Sequence, residues 1–516
     1  MDAAVPGGQP LTAILSCVVG LFCVLLLLAS SPAKDSPAPV HAATLPSTET
    51  AGMVSGVRPL WRNVRGNYEL QAVLGGTFPG PCRILFSSDS RDEAGGRHAF
   101  VEISRESLAV GRQMDGRRVV WRTFPGPGSP PWNIRLLKKG NFYTFSANSA
   151  SGWIRGPMGE WEGHYEPAES FVGVLPPEGA ALQICTLTSL PWLQQAGRPV
   201  LAHGPAGSHF ECQALPGAII ERGGRYYMYF MAGAHGDQEG AARRSIGLAT
   251  SDDLCHWQPL PAPVLRTADL AYDNIYVNGA VLAPDGRVAL MFSAQQFPDW
   301  KGFFLATADR PEGPFRLHPG NPVYRYPGPA HEFDLVRADV PEGRYILFFS
   351  GFTEHPPTGP AGDRGYLLFS DDLVHWRAHP SNPVFAPQTL AGWDAVHVRP
   401  RSLNRIGAWW YLWYEGANTW PPPGVKHHGW WDTVGLARSK DLVHWEHYPR
   451  NPALPGLGLS ADQFDSNWTG WPRMLIRGNK AYVFYTGNGE TGLRTIPVDR
   501  LTDWTGEGGE TFDMLK

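Results

Sequence analysis

Between residues 56 and 195 apolar and polar positions alternate with a period of two in short runs. The runs are YELQAVL from Tyr68, CRILFSS from Cys82, HAFVEIS from His98, WNIRLLKKG from Trp132, NFYTFSAN from Asn141, SFVGVL from Ser170 and LQICTLTSL from Leu182. A period of two sends successive side chains to opposite faces of a strand, and glycine, proline and aspartate punctuate the runs. The pattern predicts an antiparallel β-sandwich over 56–195. From about residue 200 a longer period takes over. The phrase IGLATSDDLCHWQPL from Ile246 returns as GYLLFSDDLVHWRAHPSNPVF from Gly365 and VGLARSKDLVHWEHYPRNPAL from Val434. A weaker copy starts at Phe303, and a terminal one ends at Asp503–Trp504. The marking aromatics Trp257, Phe315, Trp376, Trp445 and Trp504 lie 58, 61, 69 and 59 residues apart, and each phrase follows an aromatic strand such as RYYMYFMAG or WWYLWYEGA. Five copies of a four-strand unit predict a five-bladed β-propeller over 200–505.

Composition supports an all-β reading. Glycine and proline number 59 and 48 in 516 residues, well above ordinary usage, yet 20 Trp, 24 Phe and 17 Tyr supply ample core and argue against disorder. A formal charge of −4 removes the electrostatic case for binding nucleic acid. The run from Leu11 to Ala29 is continuously apolar and uncharged, long enough to span a bilayer and longer than most signal cores, while Val40, Ala42 and Ala43 form a small-residue cleavage pattern. Residues 1–43 therefore read as a signal peptide or an N-terminal membrane anchor, and either one carries the rest of the chain out of the cytoplasm, secreted, periplasmic or membrane-anchored. Export permits disulfides between Cys82 and Cys185 and between Cys212 and Cys255; buried thiols are the alternative.

The repeat also locates chemistry. Glu211 and Asp273 stand 15 residues before the second position of their aromatic strands, Asp394 and Asp465 about 16 before theirs, and the third copy offers Glu332 and Asp334. Each acid is expected to open the innermost strand of its blade, so that the carboxyls converge on one mouth of a central funnel. The long loops between second and third strands leave from the same end, and the fourth carries Trp420, His427, His428, Trp430 and Trp431. Aromatic faces suit the apolar faces of sugar rings and carboxylates suit hydroxyls, so the expected ligand is an oligosaccharide or polysaccharide. Carboxylates also suit glycosidic oxygens, and the family resemblance given below implies hydrolysis of the bond by a pair of them. Asp394 is favoured as acid and Glu211 as base, with Glu332, beside His331, as rival acid and Asp334 assisting. Asp273, Asn274, His331, His397, Arg399, Trp431, Asp465 and Trp468 are candidate sugar contacts. No cofactor or metal motif is legible, and the ligands of a structural Ca2+ on the propeller axis, the alternative left open, would form no local motif.

Two resemblances sharpen these expectations. The order of runs in 56–195, with IRLLKKGNFYTF as a hairpin, resembles concanavalin-like jelly rolls. The S-x-D-L-x-H-W phrases at Ser251, Ser370 and Ser439, with Asn-Pro at Asn382 and Asn451, resemble the five-bladed propeller glycoside hydrolases around families 43, 32, 68, 117 and 130. That resemblance implies essential carboxyls on the first, third and fourth blades, here Glu211, Glu332 or Asp334, and Asp394. A furanoside or related plant or bacterial glycan is the implied substrate. Two alternatives stand beside it: a family 130-like phosphorylase with phosphate held by Arg337, Arg399 and Arg401, and a non-catalytic glycan-binding propeller.

Overall fold

The computed structural model describes residues 60–513, apart from 65, 92–95, 115, 141, 156–169, 191–193, 196–197, 235–243, 268–269, 271, 273, 297–298, 357–358, 390–391, 419–432, 455–463, 466–468 and 505–510. The apolar run at 11–29 lies outside these residues, and no helix among those described is long and apolar enough to cross a membrane. The described chain is all-β, with one short helix at Val498–Thr502.

Two six-stranded antiparallel sheets come first. One orders Leu60–Val64, Ser170–Leu175, Cys82–Ser88, His98–Ile103, Ser107–Met114 and Arg117–Pro125. The other orders Thr511–Asp513, Ala181–Ser189, Tyr68–Gly75, Trp132–Lys139, Phe142–Ala147 and Ala150–Arg155. Alternate residues of both, such as Leu70, Ala72 and Leu74 against Ile84 and Phe86, form a single core. All seven alternating runs are strands. Leu60–Val64, Ser107–Met114, Arg117–Pro125 and Ala150–Arg155 are further strands that the alternating runs did not include, as is the edge strand Thr511–Asp513, which comes from beyond the ring of sheets. The four cysteines described are thiols; burial, with Cys185 nearby, pushes Cys82 up to about 12.

Five smaller antiparallel sheets follow. Their first strands are Gln213–Arg222, Asn274–Leu282, Ala330–Val340, His397–Ile406 and Gly470–Arg477, and each pairs with the aromatic strand that follows it. The first strands neighbour one another in chain order and the fifth returns to the first, so the sheets close into a ring. The fifth sheet takes its outermost strand, Gln194–Gln195, from upstream of the repeats. Neither unit is therefore a continuous stretch of chain. Glu69 joins them: its carboxylate pairs with Arg135 in the sandwich at 2.7 Å and with Arg450 of the fourth sheet at 2.9 Å. Burial opposes this charge, but Arg135, Gln71 and Arg450 outweigh burial and hold the carboxyl down at about 2. Trp153 enters the fourth sheet's hydrophobic cluster from the sandwich.

Candidate functional site

Every first strand carries a register break where it meets the aromatic strand: between Pro216 and Ala218, Val277 and Gly279, Ala330 and Phe333, Pro400 and Ser402, and Gly470 and Arg473. Such a bulge re-aims a side chain that regular pleating would send elsewhere. The residues inside the breaks include Gly217, Asn278, Glu332, Arg401 and Trp471. In the first sheet only hydrogen fits, because a Cβ on Gly217 would lie 2.3 Å from the Tyr229 carbonyl oxygen and 2.7 Å from Val277. In the last three sheets the re-aimed residues meet.

Arg401, fully buried, is the hub. Its Nη2 lies 2.6 Å from Glu332 Oε1 and 2.5 Å from Glu415 Oε2, and its Nε donates to the same Glu415 oxygen at 2.9 Å. Sharing one nitrogen keeps the carboxylates no more than about 5 Å apart, near the ~5–5.5 Å separation of retaining glycosidases. Arg399 Nε sits 2.6 Å from Asp363 Oδ2 and 3.6 Å from Glu332 Oε2, and His397 Nδ1 is 2.8 Å from that Asp363 oxygen. Arg473 pairs with Asp334 at 3.0 Å and also donates to the backbone carbonyls of Arg401 and Phe333. Asp334 accepts the Leu403 and Leu335 amides as well; burial raises its pKa, with Arg473 opposing.

An aromatic shelf adjoins the charges. The Arg401 guanidinium lies 4.2 Å from the Trp471 ring centroid, Trp471 stacks on Tyr276 at 5.8 Å, and the Arg244 guanidinium covers Tyr276 at 4.4 Å. Trp471 has φ +52°, a conformation that is strained for a bulky residue, and its amide donates to Glu415. Backbone strain and a buried ion cluster thus occupy one place, near the starts of the first strands, the end from which the long loops leave.

The structure brings together only part of the expected constellation. Glu332, Asp334, His397 and Arg399 are in the cluster, and Asn274 reaches the Tyr276 hydroxyl at 3.4 Å. Glu415, Asp363, Arg473 and Trp471 were not singled out in the sequence. Glu211, half-buried, precedes its strand and accepts the Gly207 amide at 2.6 Å. Asp394 and Asp465 turn away from the cluster to accept the hydroxyls of Tyr414 at 3.0 Å and Tyr485 at 2.6 Å, because each sits in the turn before its strand and not in the bulge. Asp273, Trp431 and Trp468 lie outside the described residues, as does the His331 side chain. The acids expected to line the funnel are instead interleaved with cations, since Arg399, Arg401 and Arg473 stand among Glu332, Asp334, Asp363 and Glu415. The three arginines proposed for phosphate do not converge. Arg337 is well exposed and pairs with Asp339, while Arg401 is committed to its two glutamates.

The S-x-D-L-x-H-W phrases build turns. Ser251 Oγ accepts the Leu254 amide at 2.9 Å, Asp253 accepts the Cys255 and His256 amides, and Trp257 donates to the Leu254 carbonyl. Ser370 and Ser439 repeat this geometry. These turns follow the third strands, at the opposite end of the ring from the ion cluster.

No protein-family model matches the chain, and none of the curated proteins does. Among solved structures the chain is similar to a glycosyl hydrolase from Bacteroides ovatus at 15% identity, over 60% of this chain and 95% of that one, with a TM-score of 0.46. It is also similar to a β-1,2-mannobiose phosphorylase from Listeria innocua (13% identity; 60% and 97% covered; TM-score 0.44). A third likeness is to a thermostable family-43 glycoside hydrolase (14% identity; 57% and 92% covered; TM-score 0.42). The neighbours thus include members of the groups that the sequence resembles.

Proposed function

We propose that this chain is an exported glycoside hydrolase, a jelly-roll sandwich over roughly 56–195 followed by a five-bladed β-propeller over roughly 200–505. Its substrate is a furanoside or related plant or bacterial glycan. Glu332 and Glu415 supply the carboxyl pair. The observation that supports this reading is the Arg401 nitrogen shared between them, which holds the two carboxyl groups close together, as a nucleophile and an acid acting across one glycosidic bond require. In this assignment one carboxyl protonates the leaving oxygen while the other attacks the anomeric carbon, and water then releases the sugar with the first acting as base. Arg401 fixes both in place, and Asp363 with His397 orients Arg399 against Glu332.

A second reading, a non-catalytic glycan-binding propeller, draws on the same hub, because a fully buried guanidinium that compensates both glutamates also describes a structural ion cluster. The discriminating experiment measures sugar release from a panel of plant and bacterial polysaccharides and nitrophenyl glycosides. Turnover by the wild type should fall by about 10²–10⁴-fold in Glu332→Gln and in Glu415→Gln. Glycan binding without turnover selects the second reading.

A further inference from the structure

The sandwich and the fourth ring sheet form between them a partly open cavity of ≈ 220 Å³, whose lining includes no residue of the Arg401 cluster. Ser146, Ser151 and Trp153 belong to the sandwich wall, and Thr389, Trp393 and Asp394 to the ring wall. Asp394 is only 2% exposed, so a buried carboxyl forms part of this lining.

A comparison within the chain isolates what is special here. Trp393–Asp394 and Phe464–Asp465 are the same local device in consecutive sheets. The aromatic ring stacks on a tyrosine of the second strand, at 5.8 Å on Tyr414 and at 6.0 Å on Tyr485, and the carboxylate accepts that tyrosine's hydroxyl. Gly416 and Gly487 make room, since a Cβ on either would lie 2.5 Å from Asp394 Cβ or 3.0 Å from Asp465 Cβ. In the fifth sheet the device is completed by Arg494, whose Nη2 lies 3.3 Å from Asp465. Arg494 stands two residues beyond Gly492, the partner of Tyr485. In the fourth sheet the residue two beyond Gly435, the partner of Tyr414, is Ala437. At that position the fifth sheet carries a guanidinium and the fourth a methyl group; Arg364 acts on Asp394 through its charge but donates to the carbonyls of Pro360, Asp363 and Val396, and the carboxyl borders a cavity.

We propose that this cavity is a sugar-binding subsite, taking one polyhydroxylated ring between the sandwich and the fourth sheet, with Asp394, Thr389, Ser146 and Ser151 meeting hydroxyls and Trp153 and Trp393 meeting C–H faces. Size selects a single ring, because the volume is below the ~300–1,000 Å³ of sites for larger ligands. Chemistry selects a neutral polyol. A buried carboxyl disfavours both an anion and a purely apolar guest, and Arg135, the cation in the lining, is paired with Glu69 at 2.7 Å. Burial lifts the Asp394 carboxyl to about 6 against the opposing Tyr414 hydrogen bond, so near that pH it can donate to a sugar hydroxyl as well as accept from one. The proposal is independent of the hydrolytic reading, since its residues touch none of the Arg401 cluster.

The test uses the full chain in detergent micelles and saturation-transfer NMR with six monosaccharides: glucose, galactose, mannose, arabinose, xylose and fucose. Ser151→Trp and Thr389→Trp fill the cavity from opposite walls, and both positions are exposed, so the fold accommodates the larger side chain. The expected result is binding of at least one sugar that drops at least ten-fold in both variants, drops several-fold in the milder Ser146→Ala, and persists in Glu332→Gln. Binding that is unchanged in the filled variants while their melting temperatures match the wild type overturns the proposal. So does the absence of binding by all six sugars, or loss of binding only in Glu332→Gln. Turnover of nitrophenyl glycosides, read in the same variants, reports separately on the hydrolytic site.

Discussion

The two ends of the ring of sheets are built on opposite principles. At one end the same turn is made three times. The serine Oγ accepts the leucine amide at 2.9 Å in all three copies, the histidine Nδ1 lies 2.7 Å from the aspartate in all three, and the leucines hold φ of 68°, 69° and 65°. At the other end the bulges present glycine, asparagine, glutamate, arginine and tryptophan, no two alike. What repeats is scaffold: each copy satisfies its own backbone amides within the turn, while its tryptophan reaches a neighbouring sheet, Trp257 packing on Phe484 and Trp445 on Phe348. What departs from the repeat is joined across sheets, and there the buried charges, the strained tryptophan and the candidate chemistry are found.

This contrast can be broken by experiment, and the largest effect should come from the hub. Arg401→Met leaves Glu332 and Glu415 buried beside one another without their cation, which should cost about 3–5 kcal/mol or prevent folding, read by urea unfolding. Asp394→Asn comes next. The folded carboxyl titrates near 6 against an ordinary 3.8, so the folded state holds the proton more tightly. Its stabilising contribution is present below pH 3.8 and is lost as pH rises through about 6, and the full change is about 3 kcal/mol. The amide does not titrate, so between about pH 4 and pH 7 this variant should lose less stability than the wild type by Asp394's share, with Asp334 contributing in both, measured as unfolding free energy at both pH values.

The remaining two tests compare additivity. In a double-mutant cycle Glu332→Gln and Glu415→Gln should couple by about 0.5–3 kcal/mol through Arg401. Ser251→Ala, Ser370→Ala and Ser439→Ala should each cost only about 1 kcal/mol, as the loss of an amide-capping hydroxyl does, and the triple variant should equal the sum of the singles. Strong coupling among the serines, or none between the glutamates, would erase the distinction between the two ends.

The same contrast explains what could be read from the sequence. Alternation and the 60-residue period are local and repeated, so the strands, the aromatic second strands and the turns were legible. Strands without clear alternation, such as Arg117–Pro125, were not, nor was the closure of each unit by a distant segment. Glu332, Asp334, His397 and Arg399 were found because they lie near the starts of first strands. Asp394 and Asp465 were placed on the axis by counting residues, but a bulge displaces the count and decides which side chain turns inward. Glu415 was missed inside an aromatic run, yet a signal existed: the seventh position of the five aligned second strands holds Met231, Ser293, Ser350, Glu415 and Thr486, and only one of these is charged. Arg401 was noticed only as one of three arginines that could hold phosphate, and its pairing depends on side chains from two other strands.

The edge strand Thr511–Asp513 pairs with Ala181–Ser189 in the sandwich, while Gln194–Gln195 pairs with Glu490–Pro497 in the fifth sheet. During synthesis the sandwich thus waits for residues 511–513, which are made after the whole ring of sheets. Until they emerge, the Ala181–Ser189 edge has unpaired amides and carbonyls open to any passing strand. A chain lacking Thr511–Asp513 would keep that edge exposed, and the loss should appear first as self-association.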